Sequence, residues 1–427
     1  MNRAARTFIL GIVLLAACRG GAPIMQRDNL VHVYGKGPSS IRLEARVHHI
    51  DEERSILYFK LNTADLLYKG DGGGGPFKAR ARITYGSFPN WESRQLLDSA
   101  STVITDASAS PSDERELIGS IAMQRKNGSN FVVKVVARDL HRDNESAVLL
   151  RVQSSDALAR QHFMPIDPAN GLPLFGDHQP AGRPIAVRNE ALAGTRLRAT
   201  RHPVPQAMPT PVFSTEARDR NDPAPDSSFT VALDSTGRFD LPALPAGIYH
   251  FAKDSLATGI APGYTLVLLD KAFPWVDHGE DLLKPLRFIT SMQEFERISK
   301  EADARKAIER FWIDASGDRE RAREAIRIYY GRAENANRHF SALTEGWRTD
   351  RGLVHIIFGT PTTIYRSDRG ETWTYGEENN IMSLSFNFVR RRSAFSDNDL
   401  WLERDATLKG AWYRNVESWR NGRVYQN

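Results

Sequence analysis

The residues best able to do chemistry in this sequence are scattered rather than grouped. One adjacent histidine pair occurs, His48-His49. On an extended strand neighbouring side chains face opposite ways, so the two cannot both reach one metal ion. One of them is expected to face solvent. Glu377-Glu378 could be imagined as paired carboxylates, but adjacent side chains diverge, and a solvated loop is the expectation. Asp397, Asp399 and Asp405 lack the fixed offsets and central glycine of a calcium loop. The glycine run Gly72 to Gly75 has no Lys-Ser/Thr and no helix behind it, so it reads as a hairpin tip and not a phosphate cradle. Arg390-Arg391-Arg392 reads as a solvated basic cluster at a strand end, with anionic lipid headgroups as the minor alternative. No Gly-x-Ser-x-Gly elbow is present. The sequence therefore assigns no catalytic residue, no metal ligand and no dissociable cofactor, and a non-enzyme is favoured over an enzyme.

Composition narrows the field further. The 57 basic and 52 acidic residues leave a net charge of +5, small and dispersed, which does not argue for nucleic acid. A single cysteine excludes an intrachain disulfide framework and any Cys-rich metal site. That cysteine, Cys18, closes an amino-terminal pattern. Arg3 and Arg6 precede an apolar run from Phe8 to Ala17, too short for a bilayer but suited to an export signal. Leu15-Ala16-Ala17-Cys18 resembles the bacterial lipobox. The resemblance implies cleavage before Cys18, a diacylglycerol on its thiol and an N-acyl chain, such as palmitate, on its amine. Two or three acyl chains hold a protein firmly where one holds marginally. By the same resemblance, Arg19 after the cysteine, in place of Asp, implies the outer membrane, facing the periplasm or the cell surface. No later apolar run is long enough to span a membrane, the best being Thr265–Leu269.

The elements behind these residues read as mostly β with a C-terminal α+β domain. Residues 1–17 are the expected signal and 18–39 a tether. Ile41, Leu43, Ala45 and Val47 alternate with charged residues, as do Phe77, Ala79, Ala81, Ile83 and Tyr85. Period two marks strands. Asn127-Gly128, between Ile121–Met123 and Phe131–Val136, predicts a tight hairpin. With Ala147–Val152 these give a β-sandwich over 40–155. Residues 165–225 carry 11 of the 22 prolines, and 203–225 reads as a long exposed excursion. Strands resume at Phe229–Leu233, so a second sandwich-like domain is placed at 160–275.

From residue 290 the period becomes helical. Ser291-x-x-Glu294 is a capping box ahead of Met292, Phe295, Ile298, Ala302, Ile308 and Phe311. Ala322, Ala325, Tyr329, Ala333, Ala336, Phe340 and Leu343 mark a second helix, with Gly346 as its stop. Leu353–Phe358 reads as a buried central strand, apolar on both faces. Thr372–Tyr375 and Met382–Phe388 give two more strands, and a short helix closes the chain near Ala411–Arg420. The expected unit is a helical hairpin plus a small antiparallel sheet.

One stretch is specific. Gly346-Trp347-Arg348-Thr349-Asp350 runs through Arg351-Gly352 into Leu353–Phe358 and Gly359-Thr360-Pro361, and Trp373-Thr374-Tyr375 follows. This closely resembles the GWxTD domain of bacterial envelope proteins, over about residues 290–427. The resemblance implies a secreted or lipid-anchored protein with β-sandwiches before the domain, and brings no settled activity. Read from its residues, the pentapeptide is a joint. Gly346 permits a left-handed helix end, Trp347 buries a ring, and Thr349 and Asp350 cap backbone N–H groups. Asp350 could also pair with Arg348, Arg351 or Arg369. A binding role for Trp347, Asp350, Trp373 and Tyr375 is the second reading. The functional expectation is a lipid-anchored outer-membrane protein that binds or assembles with an envelope protein or glycan. An accessory hydrolase of envelope polysaccharide or peptide is the alternative.

Overall fold

The computed structural model describes residues 29–34, 41–70, 72–73, 75–110, 114–125, 130–142, 144–153, 156–216, 221–253, 261–377 and 380–423. The signal, Cys18, most of the tether, Asn127-Gly128 and Glu378 lie outside the described residues.

After a helical turn, α1 (Val31–Tyr34), come seven strands: β1 (Glu44–His49), β2 (Arg54–Asn62), β3 (Phe77–Phe88), β4 (Asp98–Ser108), β5 (Glu116–Gln124), β6 (Phe131–Asp139) and β7 (Asn144–Val152). They form two antiparallel sheets, β1-β2-β5 and β4-β3-β6-β7. Alternation does the sorting. Ala79, Ala81, Ile83 and Tyr85 of β3 point into a core shared with Leu57, Phe59, Val133 and Val135, while Lys78, Arg80 and Arg82 point out. The strands on either side of Asn127-Gly128, expected to pair as a hairpin, are not neighbours in one sheet. These two, β5 and β6, pair with different partners in different sheets. A turn-favouring dipeptide fixes a reversal of direction, not which strand receives the chain.

Eight shorter strands follow: β8 (Met164–Ile166), β9 (His178–Pro180), β10 (Ile185–Arg188), β11 (Arg196–His202), β12 (Ser227–Ala232), β13 (Arg238–Leu241), β14 (Gly247–Ala252) and β15 (Gly263–Leu269). Their sheets are β13-β10-β8 and β12-β11-β14-β15-β9, the β9–β15 pair being parallel. Phe163, Val187, Leu197, Phe251, Tyr264 and Leu266 fill the space between them.

The last region holds α2 (Gly279–Leu283), α3 (Met292–Ser299), α4 (Ala304–Ser316), α5 (Arg319–Phe340) and α6 (Asp350–Phe358). The sheet β16 (Thr363–Arg366), β17 (Gly370–Tyr375), β18 (Leu384–Arg390) and β19 (Leu400–Leu402) follows, then α7 (Lys409–Arg420). The Ser291–Glu294 capping box forms. The stripe after it breaks into two helices, and Met292 is exposed rather than packed. Gly317 ends α4 in the left-handed region and Asp318 caps α5 with its carboxylate, which makes the turn between them. The α5 face is as expected from Ala322 through Ala325, Tyr329, Ala333 and Ala336 to Phe340, all buried, but the helix ends at Phe340, so Leu343 lies beyond it and Gly346 is not its stop. Leu353–Phe358, expected as a strand, is the body of α6, buried on every side. A six-residue apolar run has no readable period, so a fully buried helix and a fully buried strand look alike.

The expected exposed excursion is also corrected. Val212 is fully buried in the C-terminal core, and so are Leu30 and Tyr34 from the amino-terminal segment. The outer face of β14 and β15 joins this region through Ile248, Val267 and Leu269 against Leu343 and Phe395.

Candidate functional site: the Gly346–Asp350 joint and its cleft

The joint is built on backbone contact. Gly346 opens a single 3-10 turn, Gly346–Arg348, that lies on α5. A Cβ at Gly346 would sit 1.8 Å from the Ala336 carbonyl oxygen, and one at Gly352 would sit 2.0 Å from the Gly346 oxygen. The glycines are needed for close approach. Gly346 does not adopt the left-handed conformation expected of it. The Gly346 N–H donates to Ser341 Oγ at 2.9 Å, and the Trp347 N–H to Asn337 Oδ1 at 3.2 Å. Thr349 caps α6: its hydroxyl oxygen accepts the Gly352 N–H at 3.1 Å and donates to the Gly346 carbonyl at 2.7 Å. Trp347 is buried with its ring edge-on to Phe288 and the Arg348 guanidinium over its face.

Three charged side chains leave the joint in three directions. Arg348 donates to the Gln206 carbonyl at 2.8 Å, which fastens the proline-rich segment. Asp350, whose side chain is fully buried, accepts the Leu402 N–H at 2.8 Å and pairs with Arg404 at 2.7 Å. Arg404 also donates to the carbonyls of Thr210 and Pro211. The expected partners Arg348, Arg351 and Arg369 are thus replaced by an arginine beyond β19, because α6 turns Asp350 toward that strand and its neighbours away. Arg351 reaches Glu371 at 3.2 Å and both oxygens of Asn398, at 2.8 and 2.7 Å.

Glu371 is the hub. It accepts from Arg366 at 2.5 Å, from Trp373 Nε1 at 3.0 Å and from the Tyr34 hydroxyl at 2.8 Å. Burial alone would raise its carboxyl, but Arg366 and Arg351 outweigh burial and hold it below the usual carboxylate range. Trp373 and Tyr375, singled out from sequence, are core residues. Trp373 packs among Tyr34, Phe340 and Phe388, and the Tyr375 hydroxyl, raised by burial, donates to the Gly359 carbonyl.

Tyr34 was missed by sequence reasoning, and no local pattern marks it. Its segment adds to the edge of the C-terminal sheet. The Leu30 N–H donates to the Ile364 carbonyl at 2.9 Å, and Asn29 bonds the backbone of Thr362 and Ile364.

Beside the hub lies a cleft of about 900 Å³ where all three regions meet. Asp177 stands in its wall, bonded to Arg46 at 2.7 Å, to Arg160 and to the Tyr264 hydroxyl at 3.0 Å. Burial would raise this carboxyl, and Arg160 and Arg46 hold it down. Trp275, half exposed, stands at the rim with the Arg338 guanidinium over its ring at 4.3 Å. The cleft thus combines one half-exposed tryptophan with fixed charges of both signs in its wall.

The remaining sequence candidates are placed as follows. His48 and His49 are both buried, contrary to the expectation that one faces solvent. The outer face of β1 is covered by the second region, where His48 meets the Gln161 carbonyl and Glu190. Burial lowers His49 to about 3. Arg391 pairs with Asp222 and Asp399, and Arg390 donates to the carbonyl of Asp397, so two of the three clustered arginines are held inside the fold. Asp405 caps the turn before α7. Among the described residues no three His, Cys, Asp or Glu side chains are placed to hold a metal ion.

A family model described as the GWxTD domain matches residues 247–421. The match begins at β14, earlier than the motif-based boundary, and it takes in the strands whose outer face packs on Leu343 and Phe395. No curated protein matches the chain. Among solved structures, a red sea bream transglutaminase aligns at 11% identity and TM-score 0.18, over 54% of this chain and 32% of that one. A variant of the major pilin subunit of Bacillus cereus aligns at 9% identity and TM-score 0.16, over 50% of this chain and 58% of that one. The BSP domain of a biofilm-associated protein aligns at 10% identity and TM-score 0.15, over 56% and 54%. The chain spans less than two thirds of each, and at these TM-scores the likenesses carry no argument.

Proposed function

The chain carries a GWxTD domain, and from that premise we propose that it is a lipid-anchored protein of the bacterial outer membrane with a non-catalytic binding role in the envelope. Cys18 would carry the diacylglycerol and the N-acyl chain. The folded part would hold an envelope protein or a glycan in the cleft beside Glu371. The observation behind this reading is how the motif spends its charges. Arg348, Asp350 and Arg351 are each engaged in fastening one segment to another, and Glu371 is saturated by Arg366, Trp373 and Tyr34. A buried carboxylate whose charge is committed to two arginines is poorly placed to move a proton for a substrate. The cleft offers the opposite: an open groove with a tryptophan at its rim.

The test is crosslinking in intact cells followed by purification of the tethered protein. A partner or glycan whose yield falls on Trp275→Ala, with the protein still folded, supports the reading. Turnover of an envelope polymer by the pure protein contradicts it. Cys18→Ala tests the anchor: the protein should leave the outer-membrane fraction and lose its added lipid mass.

A further inference from the structure

One corner of the cleft beside Glu371 is rich in donors and short of acceptors. Arg151 of β7, Arg366 of β16, Arg390 at the end of β18 and Trp91 all line the cleft. The Arg366 guanidinium lies over the Trp91 ring at 5.3 Å. Trp91 is buried, and its Nε1–H meets no acceptor among the described residues. Arg390 donates from Nε to the Asp368 carbonyl at 3.3 Å and from Nη1 to the Asp397 carbonyl. Its Nη2 is left without a partner, and no carboxylate among the described residues pairs with it. Burial lowers the Arg390 guanidinium, and the like charges of Arg151, Arg366 and Arg351 lower it further, against Asp397, which raises it.

The carboxylates around this corner are already committed. Glu371 is shared by Arg366 and Arg351. Asp368 takes Arg151 at 2.7 Å. Asp397 acts on Arg390 but also on Arg160, and Arg160 shares Asp177 with Arg46. The other glutamates of the cleft are held on the first sandwich, Glu44 and Glu116 by Lys60, and Glu114 by Arg42. Twice, then, two guanidiniums share one carboxylate, and Arg390 has none of its own. A guanidinium drawn away from bulk water without a counter-charge is costly, and an oxyanion placed against it offsets that cost. The planar fork of a guanidinium also matches the paired oxygens of a carboxylate or a phosphate. An uncharged ligand would leave the excess as it stands, and a cation would add to it.

We infer that the corner between Arg151, Arg366 and Arg390 binds an oxyanion, so that the ligand of the cleft is one that carries a carboxylate or a phosphate group. The inference rests on the reading of the cleft as a binding site. Arg390 makes the direct contact through Nη2, and Arg151 and Arg366 strengthen the field around it.

The experiment titrates the full chain in a calorimeter, at fixed ionic strength, with inorganic phosphate, with glucuronate and with uncharged glucose. Saturable binding of phosphate or glucuronate and none of glucose is expected, and the tighter of the two anions tells which oxyanion the corner is built for. Arg390→Gln, with its unfolding midpoint checked, should weaken that binding at least about tenfold. Arg151→Gln should weaken it too, and serves if Arg390→Gln does not fold. Arg327→Gln, which removes the same charge from an exposed side chain of α5, is the control and should change nothing. No saturation by either anion up to about 10 mM overturns the inference. So does binding that a folded Arg390→Gln retains, or that Arg327→Gln loses to the same degree. A partner captured from cells in a Trp275-dependent way by protein that binds neither anion overturns it as well, and leaves the binding role of the cleft standing. Anion binding that Arg390→Gln removes, without Trp275-dependent capture of any partner, upholds the oxyanion site and counts against the proposed partner instead.

Discussion

Replacing Asp350 by asparagine removes a charge and almost no volume, so it isolates the electrostatic part of the joint. The amide oxygen can still accept the Leu402 N–H. What is lost is the pairing with Arg404, whose own side chain is only 8% exposed. Removing one partner of a buried ion pair costs about 3–5 kcal/mol, because the other charge stays buried. Arg404 keeps the carbonyls of Thr210 and Pro211, which places the expected loss at the low end, about 3 kcal/mol. A simple helix-end carboxylate would lose about 1 kcal/mol or less, since an amide caps nearly as well. Urea unfolding of the full chain, followed by tryptophan emission, separates these values. A loss of about 1 kcal/mol or less would refute the ion-pair account of Asp350. A second arm guards the logic: Asp350→Leu combined with Arg404→Met removes both charges and should be far milder than either change alone.

Two other outcomes follow from the same structure. Tyr34→Phe removes the hydroxyl donated to Glu371 and should lower stability by about 1.5–3 kcal/mol; an unchanged urea midpoint would mean the amino-terminal segment is not docked in solution. Stability should also fall with acid. Burial, the first cause in each case, lowers His355 and His49 to about 3, against an ordinary value of 6.5. The unfolded chain then takes up protons first. The contribution is complete above pH 6.5 and declines as pH falls toward 3, by up to about 2 kcal/mol for each histidine at pH 5. Equal urea midpoints at pH 7 and pH 5 would contradict the buried, neutral state of both.

How much of this was legible beforehand depended on the range of the signal. Strands with one wet face announced themselves, because Lys78, Arg80 and Arg82 alternate with residues that the core takes. The α5 stripe was equally plain. Leu353–Phe358 was not, since burial on all sides erases the period that separates a helix from a strand. The Thr349 cap was the available clue that α6 begins there. The motif itself was legible as a joint, but its fastenings were not. Asp350 meets Arg404, Arg348 meets the backbone at Gln206, and Glu371 meets Tyr34, contacts between residues far apart in the chain. Nothing local in a proline-rich stretch says that its unladdered carbonyls will be taken by arginines from another region. His48 was misjudged for a related reason. The face of β1 that would be wet in an isolated sandwich is covered by the next one.

The central claim is that the Gly346–Asp350 motif acts by holding the fold together. Trp347→Ala tests it most directly. The ring is 5% exposed and packs on Phe288 beneath the Arg348 guanidinium. Its removal leaves a cavity expected to cost about 3–5 kcal/mol, read as a lowered unfolding midpoint of the full chain. A variant that keeps the wild-type midpoint yet no longer captures its envelope partner would contradict the account and make Trp347 a binding residue.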